Sequence, residues 1–175
     1  RYGTVTGVQT CALPIYAVRK QWETLWICDP LDGTKEFIKR NGEFTVNIAL
    51  VKGGVPVMGV IYVPVSRTLF WGHTEAFNGQ IAAWRCEVDE TGSLVGQTAL
   101  PLNDDAERPY IVVASRSHLS PETEAFVARE REAHPGLELH SAGSSLKICL
   151  VAEGRADIYP RSEEHTSELQ SQFRI

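Results

Sequence analysis

The segment Asp29-Pro30-Leu31-Asp32-Gly33-Thr34 is the feature that most restricts how this chain can fold. It follows an apolar run, residues 25–28, that predicts a buried strand, and it precedes residues 35–38, which can start a helix. Two carboxylates at the end of a buried strand cannot both stay ionised without compensation. A divalent cation supplies that compensation, and N–H groups at the start of the helix can seat a phosphate. The alternative is a simple tight turn, because Asp-Pro and Asp-Gly are common turn dipeptides.

The residues around this segment resemble a known family. The hexapeptide is similar to the signature of the inositol monophosphatase superfamily of magnesium-dependent, lithium-sensitive phosphatases. Residues 35–50, KEFIKRNGEFTVNIAL, resemble the bacterial 3′(2′),5′-bisphosphate nucleotidase branch, whereas inositol monophosphatases proper tend to carry Thr-Asn-Phe at positions 35–37. Further similarity to this branch lies at residues 115–118, 143–147 and 151–160. The resemblance implies a layered αβαβα sandwich, incomplete at both ends.

The resemblance also implies roles for the hexapeptide. It implies that Asp29 bridges two metal ions, that the Leu31 carbonyl binds the first and that Asp32 binds the second. Thr34 would help an upstream glutamate polarise the attacking water, and its alternative role is a helix N-cap. The amides of Gly33 and Thr34 would face the scissile phosphate. The implied cofactor, Mg²⁺, would lower the pKa of the attacking water and neutralise phosphoryl oxygens during in-line attack without a phosphoenzyme.

A second group of residues is expected to bind the substrate. Gly143, Ser144 and Ser145 precede a predicted helix, so their amides and hydroxyls can hold a phosphate or a ribose, with positive charge from Lys147. The alternative is a generic loop-to-helix cap with an exposed lysine. The resemblance puts His118 near the adenosine, although a lone loop histidine is more often merely exposed. The predicted substrate-binding residues are Asp32, Gly33, Thr34, His118, Gly143, Ser144, Ser145 and Lys147.

Local patterns predict an α/β layered domain, because strands alternate with helices. Strands are expected over residues 45–51, 56–63, 68–71, 80–86, 110–114 and 137–140, with Gly53 and Gly54 at a hairpin turn and a turn at residues 77–79. The strand over residues 56–63 is largely apolar and is expected to be buried on both faces. Helices are expected over residues 120–133 and 144–153. Residues 87–108 carry no sustained pattern.

Composition bounds the function further. The net charge of −5 and the mixed surface argue against binding of a nucleic acid polymer. No apolar run approaches transmembrane length, and no signal-like segment opens the chain. The wide spacing of Cys28, Cys86 and Cys149 fits neither a zinc site nor a disulfide framework, which favours a reducing compartment. We expect a cytoplasmic protein; a peripheral contact with the inner face of the cell membrane and the oligomeric state stay open.

Both ends of the chain look foreign. Residues 7–15, GVQTCALPI, and residues 161–171, RSEEHTSELQS, are what two reverse-complementary DNA strings resembling a sequencing-library adapter would encode. Such segments are excluded from structural interpretation. We expect residues 1–15 and 161–175 to be non-native and residues 16–160 to be a partial phosphatase domain; the alternative is native polar termini.

The resemblance implies an enzyme that removes the 3′-phosphate of adenosine 3′,5′-bisphosphate, a small-molecule nucleotide and by-product of sulfate assimilation, to give AMP and phosphate. One alternative is an inositol monophosphatase or fructose-1,6-bisphosphatase, and another is a non-catalytic metal- or nucleotide-binding fragment. Family members carry an upstream glutamate pair and a downstream Trp-Asp that bind metal, and the expected native part has neither. The pair Glu163-Glu164 falls in the adapter-like tail, so we expect the 175-residue chain itself to be inactive.

Overall fold

The protein is described by a computed structural model that covers residues 21–102, 107–115 and 120–161, together with the backbone of residues 2–6. Its strands are β1 (Tyr2–Thr6), β2 (Thr24–Asp32), β3 (Thr45–Lys52), β4 (Val55–Val63), β5 (Thr68–His73), β6 (Ala82–Val88), β7 (Leu94–Ala99), β8 (Ile111–Ala114) and β9 (Glu138–Ser141). Its helices are α1 (Thr34–Lys39), α2 (Glu75–Asn78), α3 (Pro121–Ala133) and α4 (Leu146–Ala152). No helix in these ranges is both long and apolar enough to cross a bilayer.

The larger sheet contains seven strands in the order of the sequence, β1 to β7. β1 is parallel to β2, and every later neighbour is antiparallel. The predicted hairpin turn between β3 and β4 is confirmed, because Gly53 and Gly54 both have positive φ, +55° and +81°. Turns with two positive φ values match the twist of the flanking strands. Strands β2 to β7, each antiparallel to the next in sequence, therefore form a meander.

The smaller sheet pairs β8 with β9 in parallel, and α3 connects them. The predicted start and end of α3 are confirmed: Ser120 is the N-cap, its Oγ accepts from the Thr123 N–H at 3.3 Å, and Pro121 is the first helical residue. Val127 of α3 is buried against Val112 and Leu137. The unit is thus a β–α–β crossover with its own small hydrophobic core.

Helix α4 packs between the two sheets. Cys149 contacts Val63 and Phe70 of the larger sheet. On its other side, Leu150 packs against Ile111 and Ala142 from the smaller sheet and its neighbouring loop. The burial of this helix therefore places the loop that precedes it, residues 142–145, next to the end of β2. The predicted helix over residues 144–153 is shorter than expected, since Ser145 is its N-cap.

Two predictions about strands and one about a turn need correction. β4 is not buried on both faces, because Val55, Pro56 and Gly59 are exposed while Val57 and Val63 are buried; apolar composition alone does not cover a strand of an antiparallel sheet. The region without a pattern, residues 87–108, contains β7, an exposed edge strand that needs no apolar alternation. The predicted turn at residues 77–79 is the end of the short helix α2.

Candidate metal and phosphate site

A β-bulge brings the two aspartates of the hexapeptide together. Asp29 lies opposite Asn47 of β3 and Asp32 lies opposite Thr45, so β2 has one more residue than β3 between these pairs. Residues three apart on a regular strand point to opposite faces, and one extra residue cancels that offset. Both aspartates consequently line one cleft of about 460 Å³.

The negative charge of this pair is incompletely compensated. The N–H of Leu31 donates to Asp29 Oδ1 at 3.2 Å, which is a local bond within the bulge. Burial of the carboxyl, together with the nearby charge of Asp32, nevertheless raises the pKa of Asp29. A cation bound between the two carboxylates would supply the missing compensation.

Hydrogen bonds fix the orientation of Asp32. The Ser145 hydroxyl donates to Asp32 Oδ2 at 2.9 Å, and the Thr45 hydroxyl donates to the same oxygen at 3.4 Å. Asn47 Nδ2 in turn donates to Ser145 Oγ at 3.0 Å. The loop before α4 is therefore bonded directly to a predicted metal ligand.

Two glycines allow this loop to lie close to α1. A Cβ at Gly143 would lie 2.5 Å from Glu36 Cγ and 2.9 Å from the Glu43 carbonyl oxygen, and a Cβ at Gly33 would lie 3.0 Å from Ser144 Cβ. The N–H of Gly143 donates to Glu43 Oε2 at 2.8 Å. The loop is thus in contact with the segment that follows the hexapeptide.

Lys147 donates hydrogen bonds to the backbone of loop 142–145. Its Nζ donates to the carbonyl oxygens of Ala142 at 3.1 Å and Ser144 at 2.8 Å. Burial lowers the pKa of the ammonium group, while the charges of Asp32 and Glu36 act in the opposite direction. The alternative of an exposed lysine is wrong, because Lys147 is buried.

The cleft collects most of the residues that the sequence predicted. Its lining includes Asp29, Asp32, Gly33, Gly143, Ser144, Ser145 and Lys147. Leu31 lies in the bulge. Thr34 is exposed as the first residue of α1, and the N-cap is Gly33, so the alternative N-cap role of Thr34 is wrong. His118 lies outside the described residues.

Three residues of this site were not predicted from the sequence: Thr45, Asn47 and Glu43. The first two carried a signal, because they are polar residues two positions apart in an otherwise apolar strand, and such residues share one face. Glu43 lies in the link before β3, where no local pattern distinguishes it from a solvated residue.

The residues present fit a bound cation and its ligands in part. Asn47 Oδ1 and Ser144 Oγ are buried without a hydrogen-bond partner in the described part of the chain, although both residues line the cleft. Buried polar atoms usually have a hydrogen-bond partner, so these two oxygens are available to a ligand bound in the cleft. Within the same ranges no group of three or more His, Cys, Asp or Glu residues could hold a metal ion. Magnesium often takes one or two carboxylates and completes its shell with water and phosphate.

Comparison with known proteins identifies the family. A sequence model of the Inositol monophosphatase family matches residues 7–168, and the chain belongs to this family. The matched range extends into both terminal segments expected to be non-native, whose origin stays a prediction. The α/β layered fold is confirmed by similarity to solved members of the family.

Curated relatives include the 3′(2′),5′-bisphosphate nucleotidase CysQ of Salmonella typhimurium, 46% identical over 148 residues, which are 85% of this chain and 53% of the relative. The protein of the same name from Escherichia coli K12 is 45% identical over 148 residues, with 85% and 53% covered. The chain therefore spans about half the length of the curated relatives it matches.

Among solved structures, CysQ from Bacteroides thetaiotaomicron has a TM-score of 0.76 and 50% identity, with 91% of this chain and 59% of that chain covered. Mycobacterium tuberculosis SuhB, at 22% identity and a TM-score of 0.59, covers 90% of this chain and 56% of its own, and shows the fold alone.

Proposed function

We propose that this chain is part of a Mg²⁺-dependent phosphomonoesterase that removes the 3′-phosphate of adenosine 3′,5′-bisphosphate and yields AMP and phosphate. The observation that carries the proposal is the bulge of β2, which gathers Asp29 and Asp32 in one cleft beside Gly33 and the loop 142–145. The names of the curated relatives support the choice of substrate, since those at 45–47% identity are called 3′(2′),5′-bisphosphate nucleotidases.

The residues of the cleft divide into two sets by their chemistry. Asp29, Asp32 and the Leu31 carbonyl would hold Mg²⁺, which when bound lowers the pKa of the attacking water and neutralises phosphoryl oxygens. Lys35 adds positive charge to the lining, and this suits a phosphorylated substrate. In loop 142–145, the Ser144 hydroxyl has no hydrogen-bond partner in the described part of the chain and would orient the substrate. The Gly143 N–H and the Ser145 hydroxyl donate to Glu43 and Asp32, and their contact with the substrate stays a prediction.

The proposal is tested with a complete protein, in which residues 16–160 are joined to the flanking sequence recovered from the parent gene. Phosphate release is measured with adenosine 3′,5′-bisphosphate, inositol 1-phosphate and fructose 1,6-bisphosphate, with Mg²⁺ and after its removal by a chelator. We expect the nucleotide to have the highest kcat/KM and the chelator to abolish release. Preference for inositol phosphate or fructose bisphosphate would support the alternative within the family. Nucleotide binding without phosphate release would support the non-catalytic alternative.

The proposal includes the domain limits. Residues 16–160 would be native, and residues 1–15 and 161–175 would be translated adapter; β1, within residues 1–15, pairs with β2 in the structure. Sequencing the parent gene across both junctions tests this, and we expect family sequence to replace both segments. A gene that encodes residues 7–15 and 161–171 in place would contradict it. The cytoplasmic location and the role in sulfate assimilation stay predictions.

A further inference from the structure

Asn47 is a polar side chain with no role in the proposed function so far. It lies in β3, opposite Asp29 on one side and Ile61 of β4 on the other. Its side chain lines the cleft, and its Nδ2 donates to Ser145 Oγ at 3.0 Å. An asparagine within an apolar strand of a sheet needs a specific partner, because burying an amide without one is costly.

The hydrogen bonds that start at Asn47 have one direction. The amide nitrogen of Asn47 only donates, and an ionised Asp32 only accepts. The Ser145 hydroxyl lies between them and has a single proton, so it accepts from Asn47 and donates to Asp32 Oδ2 at 2.9 Å. Asn47 engages a lone pair of Ser145 Oγ and so holds this oxygen, and the serine rotamer that carries it, within reach of Asp32 Oδ2.

The bond from Ser145 Oγ is the shorter of the two side-chain hydrogen bonds to Asp32 Oδ2, at 2.9 Å. The bond from Thr45 Oγ1 to the same oxygen is 3.4 Å long, which is near the limit for a hydrogen bond. The relay from Asn47 through Ser145 to Asp32 also joins segments that are distant in sequence, since Asn47 and Ser145 are 98 positions apart. The orientation of Asp32 therefore depends on contact between β3 and the loop before α4.

We infer that Asn47 is a positioning residue of the metal site, which orients the Ser145 hydroxyl and through it the Asp32 carboxylate. The inference rests on the proposed function only in taking Asp32 as a ligand of the cation. Residues that orient metal ligands commonly change metal affinity by about 10- to 100-fold when replaced. Asn47 is thus expected to affect cation binding through Ser145 and Asp32.

The test measures Mn²⁺ binding to the 175-residue chain by electron paramagnetic resonance of the free ion. Asn47→Leu and Ser145→Ala are each expected to weaken binding about tenfold. The double variant is expected to bind as weakly as either single variant and no more, because both substitutions interrupt the same relay. Asn47→Ala is measured in parallel, so that poor packing of leucine does not decide the result.

Asn78→Leu is the matched control. It also removes an asparagine amide that contacts another side chain, His73 Nε2 at 3.4 Å, but outside the cleft, and we expect unchanged Mn²⁺ affinity. Unchanged affinity in both Asn47 variants, additive losses of about 100-fold in the double variant, or no Mn²⁺ binding by the unsubstituted chain would each overturn the inference. If the relay behaves as expected but the complete protein releases no phosphate, the proposed function fails and this inference stands.

Discussion

At the scale of single residues, Gly143 shows how closely the loop before α4 approaches the hexapeptide. We expect Gly143→Ala to lower the free energy of unfolding by about 1–3 kcal/mol, since an added Cβ would overlap the Glu43 backbone. The nearest atoms would be Glu36 Cγ at 2.5 Å and the Glu43 carbonyl oxygen at 2.9 Å. Urea unfolding followed by circular dichroism measures the change. Gly59→Ala is the control, because no heavy atom beyond its two chain neighbours lies within 4 Å of its added Cβ; equal losses in both variants would contradict the prediction.

Asp32 is the residue whose chemistry matters most to the proposed function. In the complete enzyme, Asp32→Asn keeps the size of the side chain and an oxygen that can accept from Ser145, but it removes the charge that would hold the cation. We expect kcat to fall by orders of magnitude with little change in the thermal midpoint. Asp89→Asn, in the exposed turn before β7, is expected to retain activity. Near-normal turnover of Asp32→Asn would remove this residue from the site.

At the scale of secondary structure elements, Asp157 connects the chain after α4 to the start of β8. Its Oδ2 accepts from the Ile111 N–H at 2.7 Å, and both carboxylate oxygens accept from the Arg108 guanidinium at 2.7 and 3.0 Å. The hydrogen bonds from Arg108 hold the pKa of Asp157 below its ordinary value of 3.8. This carboxylate therefore stabilises the fold only while it is ionised.

The depressed pKa sets the sign of a pH effect. The stabilisation by Asp157 is fully present above its ordinary pKa of 3.8 and is lost as the pH falls through the lower pKa of the folded state. We expect Asp157→Asn to lower the free energy of unfolding by about 1–2 kcal/mol at neutral pH. In strong acid, the free energies of unfolding of the variant and the parent chain are expected to differ less. Urea unfolding from neutral to acidic pH measures both. A difference that grows on acidification would contradict the assignment.

The elements also differ in how well local sequence predicted them. Helix α3 was predictable because Ser120 and Pro121 mark its start and Pro135 follows its end. Strand β7 was missed because an exposed edge strand has one neighbour and no buried face, so its residues need no periodic pattern. The burial of β4 was overestimated for a related reason: the apolar residues of a strand do not show whether another element packs against each of its faces.

At the scale of the whole molecule, the 175-residue chain is expected to bind Mn²⁺ weakly and to release negligible phosphate. In the part that the structure describes, Asp29 and Asp32 have no third acidic, histidine or cysteine side chain with which to hold a metal ion. A coupled phosphate assay with adenosine 3′,5′-bisphosphate, run beside the complete protein at equal concentration, measures this. Mg²⁺-dependent turnover by the 175-residue chain at a rate near that of the complete protein would refute it.

The sequence alone determined the family, the α/β class and the candidate residues of the hexapeptide and of the loop before α4, since these depend on short motifs with local chemistry. Only the tertiary structure decided that a bulge turns Asp29 and Asp32 into one cleft, that Lys147 is buried under the loop, and that Asn47 reaches Asp32 through Ser145. The physical reason is the separation along the chain, 98 positions from Asn47 to Ser145 and 113 from Asp32 to Ser145. Such contacts form when α4 packs between the sheets, and no local pattern encodes the distance between residues that packing brings together.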